Sequence, residues 1–233
     1  MSLSSTIRGI LDEMSPPSDY PGTWDRSDPD NPRFNAVDWE PKDDAWMGAE
    51  IAKAIVDFVE GATLTVTPPA AVGTTAAPPG PFTGSAAPGS ATLGDGGAAI
   101  ESAFGTPLTA SGVSPADDLA IATVWANGLG ASLSTMMLEF PFSGTTMVPA
   151  PPSPSPIPTP VSGDMVGAGI VAPGVPLGLA ALAAGLPTSQ SNGDTADAIS
   201  NAVSAILGTC TTVLASLPPP AGVAAGGSVT GWG

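Results

Sequence analysis

Residues 44–61 read Asp-Ala-Trp-Met-Gly-Ala-Glu-Ile-Ala-Lys-Ala-Ile-Val-Asp-Phe-Val-Glu-Gly, and residues 62–69 continue Ala-Thr-Leu-Thr-Val-Thr-Pro-Pro. Ile51, Ala54, Ile55, Phe58 and Val59 recur at helical spacing, which lays an apolar stripe along one face. Glu50, Lys53, Asp57 and Glu60 fall mostly on the other face. Asp43 or Asp44 offers a side-chain oxygen to the free amides at the start, and Gly61 ends the helix. Past Gly61 the period drops to two. Ala62, Leu64 and Val66 alternate with Thr63, Thr65 and Thr67, residues suited to a pleated strand. Pro68 and Pro69 stop that strand, because proline has no amide hydrogen to give to a ladder.

The same order returns near the C-terminus. Placing Ile51 on Ile199 aligns Ala54 with Ala202, Ile55 with Val203, Phe58 with Ile206 and Val59 with Leu207. Residues 68–73 then match residues 219–224 after a short insertion, and Phe82-Thr83-Gly84 resembles Val229-Thr230-Gly231. A middle helix aligns more loosely through Ile121, Val124 and Trp125, and Pro141-Phe142-Ser143-Gly144 echoes Pro81-Phe82-Thr83-Gly84. The expected fold is therefore α+β, irregular and extended. It is read as two and a half degenerate repeats of long helix, short strand, Pro/Gly loop and short helix. The corresponding divisions are an N-terminal helix and acidic aromatic arm (1–45), a first helix–strand unit (46–112), a looser second unit with a polyproline spacer (113–187, spacer 148–160) and a partial third unit (188–233).

Around these units the pattern predicts a short amphipathic helix over 4–14, with Ile7, Ile10, Leu11 and Met14 on one face and Ser4 or Ser5 as cap. Residues 15–45 fit no period and are expected as an extended arm with turns. Residues 68–97 read as a Pro/Gly/Ala/Thr-rich connector, followed by a short helix from Ala98 to Phe104 capped by Asp95. Ser114-Pro115-Ala116-Asp117-Asp118 is a helix start, and that helix weakens at Gly128 and Gly130. Residues 131–140 stay open between strand and helix. The alternating prolines of 148–160 predict an extended polyproline spacer, or a ligand for an aromatic-lined groove. A short helix is expected over 177–184. A long one follows, capped around Asp194–Asp197, and then a strand from Thr209 to Leu214.

Composition narrows the function classes. The chain has 233 residues, with Gly 29, Pro 28 and 42% hydrophobic residues, so it is not a charge-driven disordered sequence. Order in a chain of this composition is expected to depend on burial by partner chains. Net charge is −16, and all five basic residues (Arg8, Arg26, Arg33, Lys42 and Lys53) precede position 54. Nucleic acid and anionic membrane surfaces need cations, so neither is an expected partner. The N-terminus lacks a continuous apolar core and is not expected to act as a signal peptide. The uncharged region 165–186 is broken by Pro173 and Pro176 and has no basic flanks, so membrane insertion is not expected.

Chemistry is sparse. With no histidine and one cysteine, histidine bases, Cys–His pairs and zinc clusters drop out by count. Lys53 reads as an exposed helix residue. Gly94-Asp95-Gly96-Gly97 lacks the spacing of a nucleotide loop. Asp117-Asp118 reads as a helix first turn. Asp25, Asp28 and Asp30 read as solvated turns rather than a calcium loop. Cys210 reads as a small buried hydrophobe. No enzyme activity, cofactor or metal is expected. Tyr20, Trp24, Phe34 and Trp39, spaced along the acidic arm, and Trp46 beside it are the candidate docking residues. They are read either as anchors for another surface or as rings that fold back on the helix at 44–60.

The Ala/Ile helices at 51–59 and 199–207, the Thr/Val strand and Pro-Pro-Ala at 63–70 and the Gly-rich tail at 218–233 resemble small virion proteins of tailed bacteriophages, above all tail and baseplate components. The likeness is one of composition and covers about a third of the chain, with no diagnostic motif. It implies a non-enzymatic subunit present in several copies, homo-oligomeric or packed against other virion proteins, located in the virion. A capsid decoration or neck protein fits the same pattern. A bacterial cell-surface or adhesion module is the alternative from another class, and a binding module working through 148–160 is a third.

Overall fold

The computed structural model describes residues 2–18, 20–28, 32–67, 73–74, 81–107, 117–148, 157–217 and 223–232. Among the described residues the fold is mixed α+β, with six α-helices and two antiparallel sheets. The helices are α1 (Leu3–Met14), α2 (Asp44–Glu60), α3 (Ala98–Gly105), α4 (Asp118–Leu133), α5 (Val175–Gly185) and α6 (Asn192–Leu207). A two-stranded sheet holds β1 (Gly22–Asp25) and β2 (Arg33–Ala36). An eight-stranded sheet holds β3 (Thr65–Thr67), β4 (Gly73–Thr74), β5 (Pro81–Ala86), β6 (Ser90–Leu93), β7 (Met136–Val148), β8 (Ile157–Ile170), β9 (Thr211–Leu217) and β10 (Val223–Thr230).

The helices pack side by side in a closed circuit. α1 lies against α6 and α2, α3 against α2 and α4, and α5 against α4 and α6. The large sheet runs β3-β10-β9-β8-β7-β5-β4, and it curls into a half-barrel. β5 and β6 line up along one side of β7, which pairs with β5 through Phe142–Thr146 and with β6 through Met136–Glu139. Leu64, just ahead of β3, exchanges two backbone hydrogen bonds with Gly89, just ahead of β6, at 2.9 and 2.8 Å. That single bridge pins one side of the curled sheet to the other. The extended segments after Gly61 and Gly208 both find partners within the chain, since β3 pairs with β10 and β9 lies between β8 and β10.

One core spans both layers. Ile7, Ile51, Ile55, Ile100, Phe104, Leu129, Leu133, Ile199, Val203 and Ile206 come from the helices; Leu64, Leu93, Met136, Leu138, Phe140, Met165 and Val229 come from the strands and their leads. The stripe expected on α2 is buried at Ile51, Ala54, Ile55 and Val59, with Asp43 accepting from the Trp46 amide at 2.8 Å and Gly61 ending the helix. The alternation after Gly61 holds, with Leu64 buried and Thr63 and Thr65 exposed.

Several local expectations are corrected. α1 is capped by Ser2, whose hydroxyl accepts from the Ser5 amide, rather than by Ser4 or Ser5. The arm at 15–45 contains the β1–β2 hairpin. The connector at 68–97 contains three strands, because β7 supplies a template that its small residues can join. α4 begins at Asp118 with Asp117 as cap, while residues 114–116 lie outside the described ones. It does not weaken at Gly128 and Gly130, since those glycines let Ala103 of α3 and Val175 of α5 come close. Residues 131–133 finish α4, and Met136 starts β7. Residues 157–160 belong to β8, and 149–156 of the expected spacer lie outside the described residues. α6 is capped by Ser191, with Asp194 inside its first turn receiving the Ser191 hydroxyl at 2.8 Å.

A polar junction locks α3 to the α4–β7 corner. Asp95 accepts from the Gly97 and Ala99 amides, from the fully buried Ser132 hydroxyl at 2.6 Å and from Thr135 at 3.2 Å. Burial acts against the charged form. The hydrogen bonds from Ser132, Gly97, Ala99 and Thr135 together outweigh it, and the Asp95 carboxyl sits below its ordinary value. A depressed carboxyl stabilises the fold above its unfolded pKa, and that contribution is lost as pH falls through the folded value. Asp95→Asn is therefore expected to lower the melting temperature at neutral pH and to flatten its fall below about pH 4. Melts at a series of pH values check this; parallel curves for the two proteins would exclude it.

Candidate docking surface

Among the described residues, the β1–β2 hairpin forms a small sheet of its own that contributes nothing to the core. Its register pairs Gly22 with Ala36, Thr23 with Asn35, Trp24 with Phe34 and Asp25 with Arg33. Gly22 adopts φ 139°, a conformation only glycine takes without strain, and a Cβ there would strike the backbone of Asn35 and Ala36. At the far end of the strand Asp25 turns the chain by accepting from the Ser27 amide at 2.9 Å. That backbone bond, with the Ser27 hydroxyl, holds the Asp25 carboxyl below its ordinary value.

Strand alternation puts Trp24 and Phe34 on one face and the Asp25–Arg33 pair on the other. The Trp24 and Phe34 rings lie 5.2 Å apart and tilted by 57°. Both are open to solvent, Trp24 at 57% and Phe34 at 46%. Tyr20, also 46% exposed, meets Trp39 edge-on at 5.3 Å. An isolated two-stranded hairpin is marginal in water. This one gains its hold through Trp39, half-buried, whose indole Nε1 donates to the Glu13 carbonyl at the end of α1 at 3.4 Å.

The five candidate residues thus divide. Tyr20, Trp24 and Phe34 face solvent, whereas Trp39 and Trp46 are half-buried against their own chain. Trp46 sits in the first turn of α2 with the Lys42 ammonium 5.5 Å from its ring. Trp39 folds back on its own chain, but onto α1 rather than onto the helix at 44–60, and Trp46 belongs to that helix. Sequence reasoning missed a second exposed apolar group, Met137 and Ile170 on the outer face of β7–β8 with Ala168 between them. Residues 131–140 carry no spacing that separates strand from helix, and Met136-Met137 gives no sign of which methionine points inward.

Elsewhere several acidic groups serve helix ends. A cleft of about 420 Å³ between α5 and α6 is lined by Thr188, Asp194, Asp197 and Asn201. Asp194 there accepts from the Gln190 amide and the Ser191 hydroxyl, and Asp197 accepts from Ser4 of α1. Among the described residues no group of three His, Cys, Asp or Glu is placed to hold a metal ion. No described helix is long and apolar enough to cross a membrane. Cys210 is buried, and burial pushes its thiol up to about 11. Comparison with protein-family models, with curated proteins and with solved structures finds no match to this chain.

Proposed function

We propose that this chain is a non-enzymatic structural subunit of a virion, of the tail or baseplate type, held in its assembly by the aromatic hairpin. The observation that carries the docking role is the tilted Trp24–Phe34 pair, exposed on a hairpin outside the core. Large aromatic side chains left in water on such a platform are the residues that anchor interfaces once covered. The compositional likeness to small virion proteins of tailed bacteriophages supports the class of assembly.

The reading includes degenerate repeats of long helix, short strand, Pro/Gly loop and short helix, the last of them partial. Supporting it, buried positions recur at one constant interval: Gly48, Ala122 and Ala196; Ala54, Gly128 and Ala202; Ile55, Leu129 and Val203; Val59, Leu133 and Leu207; Leu64, Leu138 and Thr212. The exposed set Lys53, Asn127 and Asn201 keeps the same interval. It places Trp125, not Ile121, in register with Ile51 and Ile199. The third unit needs a short helix after β10, and α1 stands there, between α6 and α2 as α3 and α5 stand between their own neighbours.

Deleting residues 1–45 would remove Leu3 and Ile7 from the core as well as the hairpin. The sharper test is the double variant Trp24→Ser, Phe34→Ser. Its melting temperature is expected to stay within about 2 °C of the parent, as surface changes do. Its copy number in purified particles of the encoding virus, read by quantitative mass spectrometry, is expected to fall at least tenfold. Unchanged incorporation would remove the docking role.

A further inference from the structure

We propose that the aromatic face of the hairpin receives the proline-rich β7–β8 tip of a second copy of this chain, so that copies join head to tail. The inference rests on the docking reading above and names the partner. The described β7–β8 ladder runs from Met137↔Ala168 out to Val148↔Ile157, and the residues between its last pair read Pro-Ala-Pro-Pro-Ser-Pro-Ser-Pro. With Ile157-Pro158-Thr159-Pro160 beyond, residues 148–160 carry no charge at all.

Prolines in extended chain are recognised by tilted aromatic rings, because the stiff segment loses little entropy and its ring faces stack on indole and phenyl surfaces. The hairpin offers such rings at Trp24 and Phe34, with Tyr20 exposed two residues before β1 and the Asp25–Arg33 pair turned to the opposite face. An uncharged ligand therefore meets rings whose neighbouring strand pair, Asp25 and Arg33, turns its charges to the other face.

The two parts lie at opposite ends of one chain. α3 runs antiparallel to α2, with Gly105 against Gly48 near the start of α2 and Gly97 against Ala52 and Val56 further along it. β6 leads into α3 and α2 leads into β3, so the strands leave from the end of the helical layer where α2 finishes. The hairpin sits at the other end, where Trp39 reaches the last turn of α1 and Lys42 reaches Trp46. β7 carries Val148 a further ~40 Å from the helices at about 3.3 Å per residue. Val148 and Ile157, which flank the prolines, thus lie far from the hairpin of their own copy, and the proposed contact forms between copies. Such a contact is heterologous, and it builds a ring or a filament.

Two variants test it in the full chain. One carries Trp24→Ala with Phe34→Ala. The other carries alanine at Pro149, Pro151, Pro152, Pro154 and Pro156. By sedimentation velocity the wild type is expected to associate with rising concentration, and each variant alone is expected to remain a monomer. Their equimolar mixture retains one intact contact per pair and is expected to stop at a dimer. A peptide of residues 148–160 should quench tryptophan fluorescence saturably in the wild type and bind at least tenfold more weakly to the Trp24/Phe34 variant. A monomeric wild type, association that survives in either variant, or a monomeric mixture overturns the inference. In that case, loss of the Trp24/Phe34 variant from particles would still establish docking to a different partner, so the two readings fail separately.

Discussion

Ile7→Asp is expected to cost about 5 kcal/mol, enough to abolish a cooperative melt in a domain whose total stability is of order 5–15 kcal/mol. Ile7 is fully buried on α1, and α1 fills the gap between α6 and α2. The substitution removes an aliphatic side chain from that seam and puts a carboxylate there without a cation. Arg8, next in sequence, already pairs with Asp12 on the exposed face at 3.5 Å. The seam is further stitched by Ser4 to Asp197 and by Asn192 to the Leu11 carbonyl and the Asp12 carboxylate. Ile7→Val keeps the apolar contact and should cost only about 1 kcal/mol. Circular dichroism melts of the two variants decide the point. If Ile7→Asp melted within a few degrees of the parent, α1 would be a dispensable extension rather than the helix that closes the circuit.

Gly48→Val is the second large effect. Where α2 crosses α3, a Cβ on Gly48 would land on the backbone of Gly105 and 2.5 Å from the Glu101 carbonyl oxygen. Backbone has no rotamer with which to retreat, so the helices must separate. Overpacking of this kind costs about 3 kcal/mol or more and lowers the melting temperature by roughly 6–12 °C in a chain of this size. Gly9→Ala is the matching control. Gly9 lies in α1 with nothing within 4 Å of an added Cβ, so the exchange should stabilise by about 0.5–1 kcal/mol through helix propensity alone. If both substitutions moved stability in the same direction, the close crossing of α2 and α3 would not be the reason for glycine at position 48.

Local chemistry was legible wherever the residue types themselves enforce it. The α2 stripe, its Asp43 cap, the period-two stretch that buries Leu64, the short helix at α5 and the burial of Cys210 all follow from spacing and side-chain type. The aromatic residues of the arm were legible as docking candidates because large rings in a polar, acidic stretch are out of place unless something covers them. Their division was not legible. Trp39 turns inward because the Glu13 carbonyl is within reach at the end of α1, a contact that spacing along the chain does not encode.

The sequence by itself determined which segments are helical and which side of each helix avoids water, because those properties repeat within a few residues. Tertiary structure alone decided what each segment is for. β5 and β6, rich in Gly, Ala, Ser and Thr, have too little side-chain bias to announce strands, and they become strands because β7 offers them backbone hydrogen bonds. Gly128 and Gly130 look like helix breakers in isolation and act as contact points once α3 and α5 lie against them. The place of α1 beside α6 joins residues almost two hundred positions apart, as in the Ser4–Asp197 bond with its separation of 193. Such a contact exists only after the chain has closed on itself, since it depends on where the other helices leave an apolar seam uncovered.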